Sequence, residues 1–143
     1  LDDPHPLELH GENVLLSHGD ALCTDDLEYQ AVRAQTRDPS WQRQVLSMSV
    51  QERIDMARNA RDASMAHTGS TAAEIMDVNQ QAVLDAFATS GARLMIHGHT
   101  HRPAIHDVPM EDGTIAQRIV LADWYDHGSY LEGTPGGIRS RDL

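Results

Sequence analysis

The apolar and polar positions of this chain follow a strand-like pattern towards both ends and a helical pattern in the middle. Apolar stretches bounded by turn-forming residues predict five strands, at 7–9, 14–17, 93–96, 104–108 and 118–122. A tight turn through 10–13 joins the first two strands, and a second turn through 111–114 joins the last two. The tail, 133–143, holds Gly136-Gly137 and isolated charges, so we expect it to be frayed.

Between these strands the apolar residues recur at helical spacing. Thr24 or Asp25 caps a first predicted helix, which ends at 38–40, and a second short helix carries Trp41. Ser49 and Glu52 have the spacing of a capping box and start a third helix. Small polar residues at 67–73 predict a loop, and a fourth helix then carries Val83, Leu84 and Phe87 and ends at Ser90-Gly91.

The order of these elements predicts an α/β fold in which a helical segment, 24–73, is inserted between strands of a sheet. The 143 residues are enough for one domain with one core. The chain starts at Leu1 with Asp2-Asp3-Pro4 and without an initiator methionine, so we expect it to be the later part of a longer protein.

Charge and composition restrict the partners. The chain has 22 acidic and 11 basic residues, giving a net charge of −11, so a nucleic-acid backbone would be repelled. Every basic residue is arginine, which excludes a lysine Schiff base. The single cysteine, Cys23, cannot form an internal disulfide and favours a reducing, cytoplasmic compartment, where we expect it to be a small buried apolar residue. No stretch approaches the roughly 20 apolar residues of a spanning helix.

Three alternating histidines directly follow the predicted strand 93–96. His97, His99 and His101 would lie on one side of an extended backbone, where neutral imidazoles can ligate a divalent metal. A second apolar strand ends in His18-Gly19-Asp20. Ligands bind beyond the carboxyl ends of strands in open α/β sheets, so the two strand ends are expected to form one site.

Together these segments resemble the calcineurin-like metallophosphoesterases, in which histidines at strand ends hold two metal ions. The resemblance becomes more specific over nearly the whole chain and points to the UDP-2,3-diacylglucosamine pyrophosphohydrolases of lipid A biosynthesis. The segments that carry it are His18-Gly19-Asp20-Ala21-Leu22-Cys23-Thr24-Asp25-Asp26, Ile75-Met76-Asp77-Val78-Asn79, His97 to Pro103, and Val120-Leu121-Ala122-Asp123-Trp124-Tyr125 with Gly128-Ser129.

This resemblance implies the C-terminal part of a metallophosphoesterase sandwich, a single partial domain over 1–143 with a helical lid at 24–73. It also implies hydrolysis of the pyrophosphate of UDP-2,3-diacylglucosamine to 2,3-diacylglucosamine 1-phosphate (lipid X) and UMP, by water activated by two Mn²⁺ ions. His18, His99 and His101 would be the metal ligands, with His99 also near the substrate phosphate, and His97 would support their loop.

The resemblance further implies a lid whose apolar interior holds acyl chains. The implied substrate-binding residues are Asp26, Tyr29, Arg61, Ser64, Thr68 and Thr71, together with His99. The implied partners are the lipid-linked nucleotide substrate and the cytoplasmic face of the inner membrane, with no obligate protein partner and no nucleic acid.

Two departures from the family pattern change these expectations. After the substrate-binding serine the family carries lysine, asparagine and lysine, whereas this chain has Met65, Thr68 and Thr71, so a cationic contact is missing. The family's Asp-x-His, Gly-Asp and Gly-Asn-Arg/His-Asp segments, which supply the remaining metal ligands, precede the His-Gly-Asp strand, and Asp2, Asp3 and His5 do not reproduce them. We therefore expect the chain alone to be inactive.

Three alternatives stay open at this point. The chain could be a metallophosphoesterase for another phosphate ester, such as a nucleotide or a phosphoprotein. It could be a non-catalytic metal-binding or regulatory domain whose histidines hold one zinc or nickel ion. It could also be an inactive piece without independent function.

Overall fold

The computed structural model describes residues 2–125 and 128–143. The chain divides into two compact units, one formed by Leu1–Leu22 and Val78–Leu143 and the other by Cys23–Asp77. The predicted insertion, 24–73, lies within the second unit. Its role as the lid of a phosphoesterase domain stays a prediction.

The first unit is built on a five-stranded sheet. Its strands are β1 (His5–Leu9), β2 (Glu12–Ser17), β3 (Leu94–His97), β4 (Ala104–Pro109) and β5 (Ile115–Val120). The spatial order is β1-β2-β3-β5-β4, in which β2, β3 and β5 are parallel and the two edge strands are antiparallel to their neighbours. The chain is therefore α/β, as predicted, while the metallophosphoesterase sandwich stays a prediction.

Apolar residues of the central strands form the core of this unit. Val14 and Leu15 on β2, Met95 on β3 and Ile119 on β5 are all less than 5% exposed. The helix α4 (Gln80–Ser90) buries Val83 and Phe87, which are four residues apart and so share one helical face. Asn79 caps α4, and Gly91, with φ 65°, ends it in the left-handed conformation that glycine adopts without strain.

The second unit contains three helices, α1 (Leu27–Arg37), α2 (Pro39–Ser47) and α3 (Val50–Ser70). No side chain within α1, α2 or α3, all of whose residues are described, is fully buried. Leu27, Leu46 and Met65 are 76%, 69% and 66% exposed. This unit therefore presents much of its apolar surface to its surroundings.

Three sequence-based expectations differ from the structure. The cap of α1 is Asp26, whose carboxylate accepts from the Tyr29 N–H, and not Thr24 or Asp25. The third helix continues to Ser70, so the predicted loop at 67–73 is wrong for its first half. The tail is not frayed, because β6 (Ser129–Thr134) and β7 (Gly137–Asp142) pair as an antiparallel hairpin.

Among the described residues, no helix combines the length and the apolar character that crossing a membrane requires.

Candidate functional site

The carboxyl ends of the three parallel strands lie side by side. Ser17 at the end of β2 pairs with His97 at the end of β3, which in turn pairs with Val120 at the end of β5. The segments that leave the sheet here are the two histidine motifs and the segment that contains Asp123. This register places the two histidine motifs at the carboxyl ends of neighbouring strands, as the sequence predicts.

His18 and His99 are neighbours in this arrangement. Their ring centroids are 4.9 Å apart, with the ring planes tilted by 58°. The backbone holds the two loops together, because the N–H of Gly98 donates to the carbonyl of His18 at 3.1 Å. The buried carboxylate of Asp20 lies 3.2 Å from Nδ1 of His18 and so restricts the orientation of that ring.

His97 is fully buried and supports the loops from inside the sheet. Arg118 Nη1 lies 3.0 Å from His97 Nε2, and His97 Nδ1 lies 2.9 Å from the carbonyl of Gly98. Because arginine can only donate, the tautomer with its hydrogen on Nδ1 satisfies both contacts. A Cβ at Gly19, which has φ 106°, would come within 2.6 Å of His97 Nδ1, so glycine is required there.

The expectation that the three histidines share one side of an extended backbone is wrong. His99 and His101 have φ values of 67° and 53°, in the left-handed region, so the chain leaves the strand geometry directly after His97. His97 consequently points into the protein, while His101 is exposed and lies 3.7 Å from Asp123 and 6.0 Å from the ring of Tyr125.

Within the described residues, no group of three or more histidine, cysteine, aspartate or glutamate side chains is arranged to hold a metal ion. The structure thus brings His18 and His99 together and places His101 beside Asp123. The assignment of His18, His99 and His101 as the metal ligands stays a prediction.

The predicted substrate residues lie in the second unit, where Asp26 is the centre of a polar cluster. Asp26 is 5% exposed; its Oδ1 accepts from the Tyr29 N–H at 2.9 Å and its Oδ2 lies 2.8 Å from His67 Nε2. His67 Nδ1 lies 3.1 Å from a carboxylate oxygen of Glu28, and the Thr71 hydroxyl is within 3.4 Å of the same ring. The hydrogen bond to Asp26 raises the pKa of His67 above its usual value.

A mainly apolar cavity of about 340 Å³ adjoins this cluster. Tyr29 and Ser64, both predicted to bind substrate, line it together with Glu28, Val32, Ala60, Ala63 and His67. Arg61 and Thr68 are exposed on α3 and are not among these lining residues.

Three polar residues that contact the predicted site residues were not themselves predicted from the sequence: Arg118, His67 and Asp123. Arg118 and His67 contact partners 21 and 41 residues away, so no local pattern could have indicated them. Asp123 lies in the segment from Val120 to Tyr125, and its position directly after β5 is the sequence signal that could have indicated it.

The chain is similar to curated bacterial proteins over nearly all of its length. It is 49% identical over 144 residues to a protein of Stenotrophomonas maltophilia, strain K279a, covering 96% of this chain and 58% of the relative. It is 46% identical to proteins of Chromobacterium violaceum and Marinobacter nauticus, in each case covering the whole chain and 59% of the relative. All three relatives are named UDP-2,3-diacylglucosamine hydrolase.

No protein-family model matches the chain. The chain spans less than two thirds of the length of these relatives, 58% to 59%. The resemblance predicted from the motifs is nevertheless confirmed: this chain is a homologue of the UDP-2,3-diacylglucosamine hydrolases and corresponds to part of their length.

Proposed function

We propose that this chain is part of an enzyme of lipid A biosynthesis that hydrolyses the pyrophosphate of UDP-2,3-diacylglucosamine to 2,3-diacylglucosamine 1-phosphate and UMP. The names of relatives at 46% to 49% identity support the substrate class. The observation that carries the proposal is the convergence of His18 and His99 at the ends of adjacent parallel strands.

Imidazole nitrogens, which His18 and His99 supply at these strand ends, are common ligands of divalent metals. The imidazole rings of His18 and His99 lie 4.9 Å apart. His18, directly after the carboxyl end of β2, is exposed, so a ligand can reach it. His18, His99 and His101 would be this chain's ligands to two Mn²⁺ ions. When bound, these ions would supply the activation of water and the neutralisation of charge on the phosphoryl oxygens.

The chain's own residues would fix and orient this site. Arg118 and His97 hold the loop that carries His99, and Asp20 restricts the ring of His18. His99 would also contact the substrate phosphate. The segments that the family uses for its other metal ligands are not within these 143 residues, so we propose that the chain alone is inactive.

Substrate recognition would use the helical unit. Asp26, Tyr29, Arg61, Ser64, Thr68 and Thr71 are the proposed contacts. The apolar walls of the cavity beside Tyr29 and Ser64, and the exposed apolar residues of α1 to α3, would suit the acyl chains of a lipid substrate. These surfaces support a peripheral location on the cytoplasmic face of the inner membrane.

Replacing His99 in the natural gene product that contains this chain tests the proposal. With Mn²⁺ present, release of UMP from UDP-2,3-diacylglucosamine should fall by at least about 100-fold in His99→Ala and in His18→Ala, because each loses a proposed ligand. His106→Ala, an exposed histidine of β4, is the matched control and should retain the rate of the unaltered protein. Circular dichroism would verify the fold of each variant.

Failure of the unaltered protein to release UMP would reject the substrate. Normal turnover by both His99→Ala and His18→Ala would reject the metal site. Metal content measured by atomic emission separates a lost ligand from a lost substrate contact, because only the former lowers the bound Mn²⁺.

A further inference from the structure

We infer that His67 is a positioning residue for substrate recognition, which as an imidazolium fixes Asp26 and supplies positive charge to the substrate-facing surface of the helical unit. This inference rests on the proposed function. It concerns a residue that neither the motifs nor the relatives' names assign a role.

Both ring nitrogens of His67 lie close to carboxylates. His67 Nε2 lies 2.8 Å from Asp26 and His67 Nδ1 lies 3.1 Å from Glu28, so each ring nitrogen faces a carboxylate. A neutral imidazole has one N–H and could donate to only one of them. Only the imidazolium donates on both sides, so this geometry selects the charged form.

The two ion pairs differ in strength. The Asp26 side chain is 7% exposed, so water screens its pairing with His67 only weakly. The Glu28 side chain is 86% exposed, and its pairing contributes correspondingly little. His67 therefore acts chiefly on Asp26, whose second carboxylate oxygen is already held by the Tyr29 N–H.

The position of His67 on its helix also favours positive charge. It lies in the last turn of α3, where the carbonyl ends of the helix attract a cation. The hydrogen bond to Asp26 is the largest effect and raises the pKa of the imidazole; burial is the next and lowers it, and the attraction of Asp26 and Glu28 raises it further.

The surrounding charges show why a cation matters here. A second cavity, of about 500 Å³, is lined by Asp25, Asp26 and Glu28 together with His67. Of the described residues that line this cavity and the one beside Tyr29, His67 alone can carry a positive charge. From α1 and its cap, the groups near the ring are Asp26, Glu28 and Tyr29; from the end of α3 it is the Thr71 hydroxyl. Charged His67 offsets one of the three negative charges that line the second cavity, so it weakens the repulsion that an anionic diphosphate would meet at this surface.

A titration and a kinetic measurement, both on the natural gene product containing this chain, test the role of His67. The His67 imidazole is titrated by NMR and identified by the signal missing from His67→Gln. We expect it to titrate above 6.5, and its pKa to fall in Glu28→Gln. Titration at or below 6.5 would overturn the inference whether or not the protein hydrolyses the substrate.

The kinetic measurement follows KM and kcat for UDP-2,3-diacylglucosamine against pH. Because the charged form is lost as pH rises through the raised pKa, KM of the unaltered protein should increase over that range. His67→Gln should raise KM about tenfold at lower pH and remove this dependence, with kcat little changed, and His67→Lys should restore a low KM to higher pH. His106→Gln, the matched control, should behave like the unaltered protein.

These measurements distinguish a failure of the proposed function from a failure of the proposed role of His67. Absence of turnover by the unaltered protein rejects the proposed function and leaves the titration to decide the charge of His67. Turnover with the same KM profile in His67→Gln as in the unaltered protein rejects the role of His67 alone.

Discussion

At the scale of the residue, the contact between Arg118 and His97 is a buried polar pair whose partners depend on each other. Arg118 is 5% exposed, and its guanidinium donates to the ring of a fully buried histidine. Arg118→Met keeps most of the apolar stem but leaves His97 Nε2 without that donor. We expect the free energy of unfolding to fall by about 1–3 kcal/mol, measured by urea denaturation.

The exposed Arg139 of β7 provides the matched control for that substitution. Arg139→Met should change the stability by less than about 0.5 kcal/mol. If the two variants lost equal stability, the pair of His97 and Arg118 would not be the support of the loop that the distances indicate.

Residues with local signals were predicted more successfully than residues with distant partners. Cys23 is buried, as expected for a small apolar side chain, and His18 and His99 meet because strand order brings their motifs together. The alternation of the histidines does not indicate that φ becomes positive at His99, because that backbone conformation depends on the contacts of the whole loop. His67 was not predicted, because its partner Asp26 is 41 residues away.

At the scale of the element, α3 begins with a reciprocal capping box. The Glu52 N–H donates to the Ser49 hydroxyl at 3.3 Å, and the Ser49 N–H donates to the Glu52 carboxylate at 2.8 Å. Ser49→Ala removes the first of these bonds and also the bond that the Ser49 hydroxyl donates to the Glu52 carboxylate at 2.6 Å. We therefore expect a loss of about 1 kcal/mol in the free energy of unfolding at pH 7. Urea denaturation followed by circular dichroism at 222 nm checks the value.

The contribution of the Glu52 carboxylate to this cap depends on pH. Hydrogen bonds from Ser49 lower the pKa of Glu52, so this stabilisation is present above the usual carboxyl pKa and is lost as pH falls through the lowered one. The difference between Ser49→Ala and the unaltered chain should therefore shrink in acid. Ser47→Ala, which removes a hydroxyl at the end of α2, is the control, and an equal effect of both variants would contradict the cap.

Elements with strong end signals were predicted well, whereas those without them were not. The sequence pattern of Ser49 and Glu52 placed the start of α3 correctly. Its end was placed too early because Gly69 and Ser70 are small and polar, yet the Thr71 N–H closes the helix on the carbonyl of His67. Apolar and polar residues alternate only weakly in the hairpin of β6 and β7. Its stabilising contacts, such as the ion pair of Glu132 with Arg141, depend on how the two strands pair and cannot be read from either strand alone.

At the scale of the whole molecule, charge and apolar surface have opposite consequences for a lipid membrane. The chain carries a net charge of −11, which opposes approach to anionic lipids. The helical unit carries apolar side chains with large exposed fractions, including Leu27, Leu46 and Val50 at 76%, 69% and 64%. Binding to a bilayer would therefore have to come from apolar contact and not from attraction of charge.

This balance predicts how binding to vesicles responds to salt. The 143-residue chain should bind phosphatidylcholine vesicles with little dependence on NaCl, measured by co-sedimentation. Binding to vesicles that contain phosphatidylglycerol should increase with NaCl, because the screening length falls from about 10 Å at 0.1 M to about 3 Å at 1 M and repulsion weakens. Leu46→Ser should reduce binding on the order of tenfold, whereas Ile115→Ser, on β5 and 62% exposed, should not. Binding to phosphatidylglycerol that decreases with salt would instead require a local attraction of charge and would reject the apolar mode.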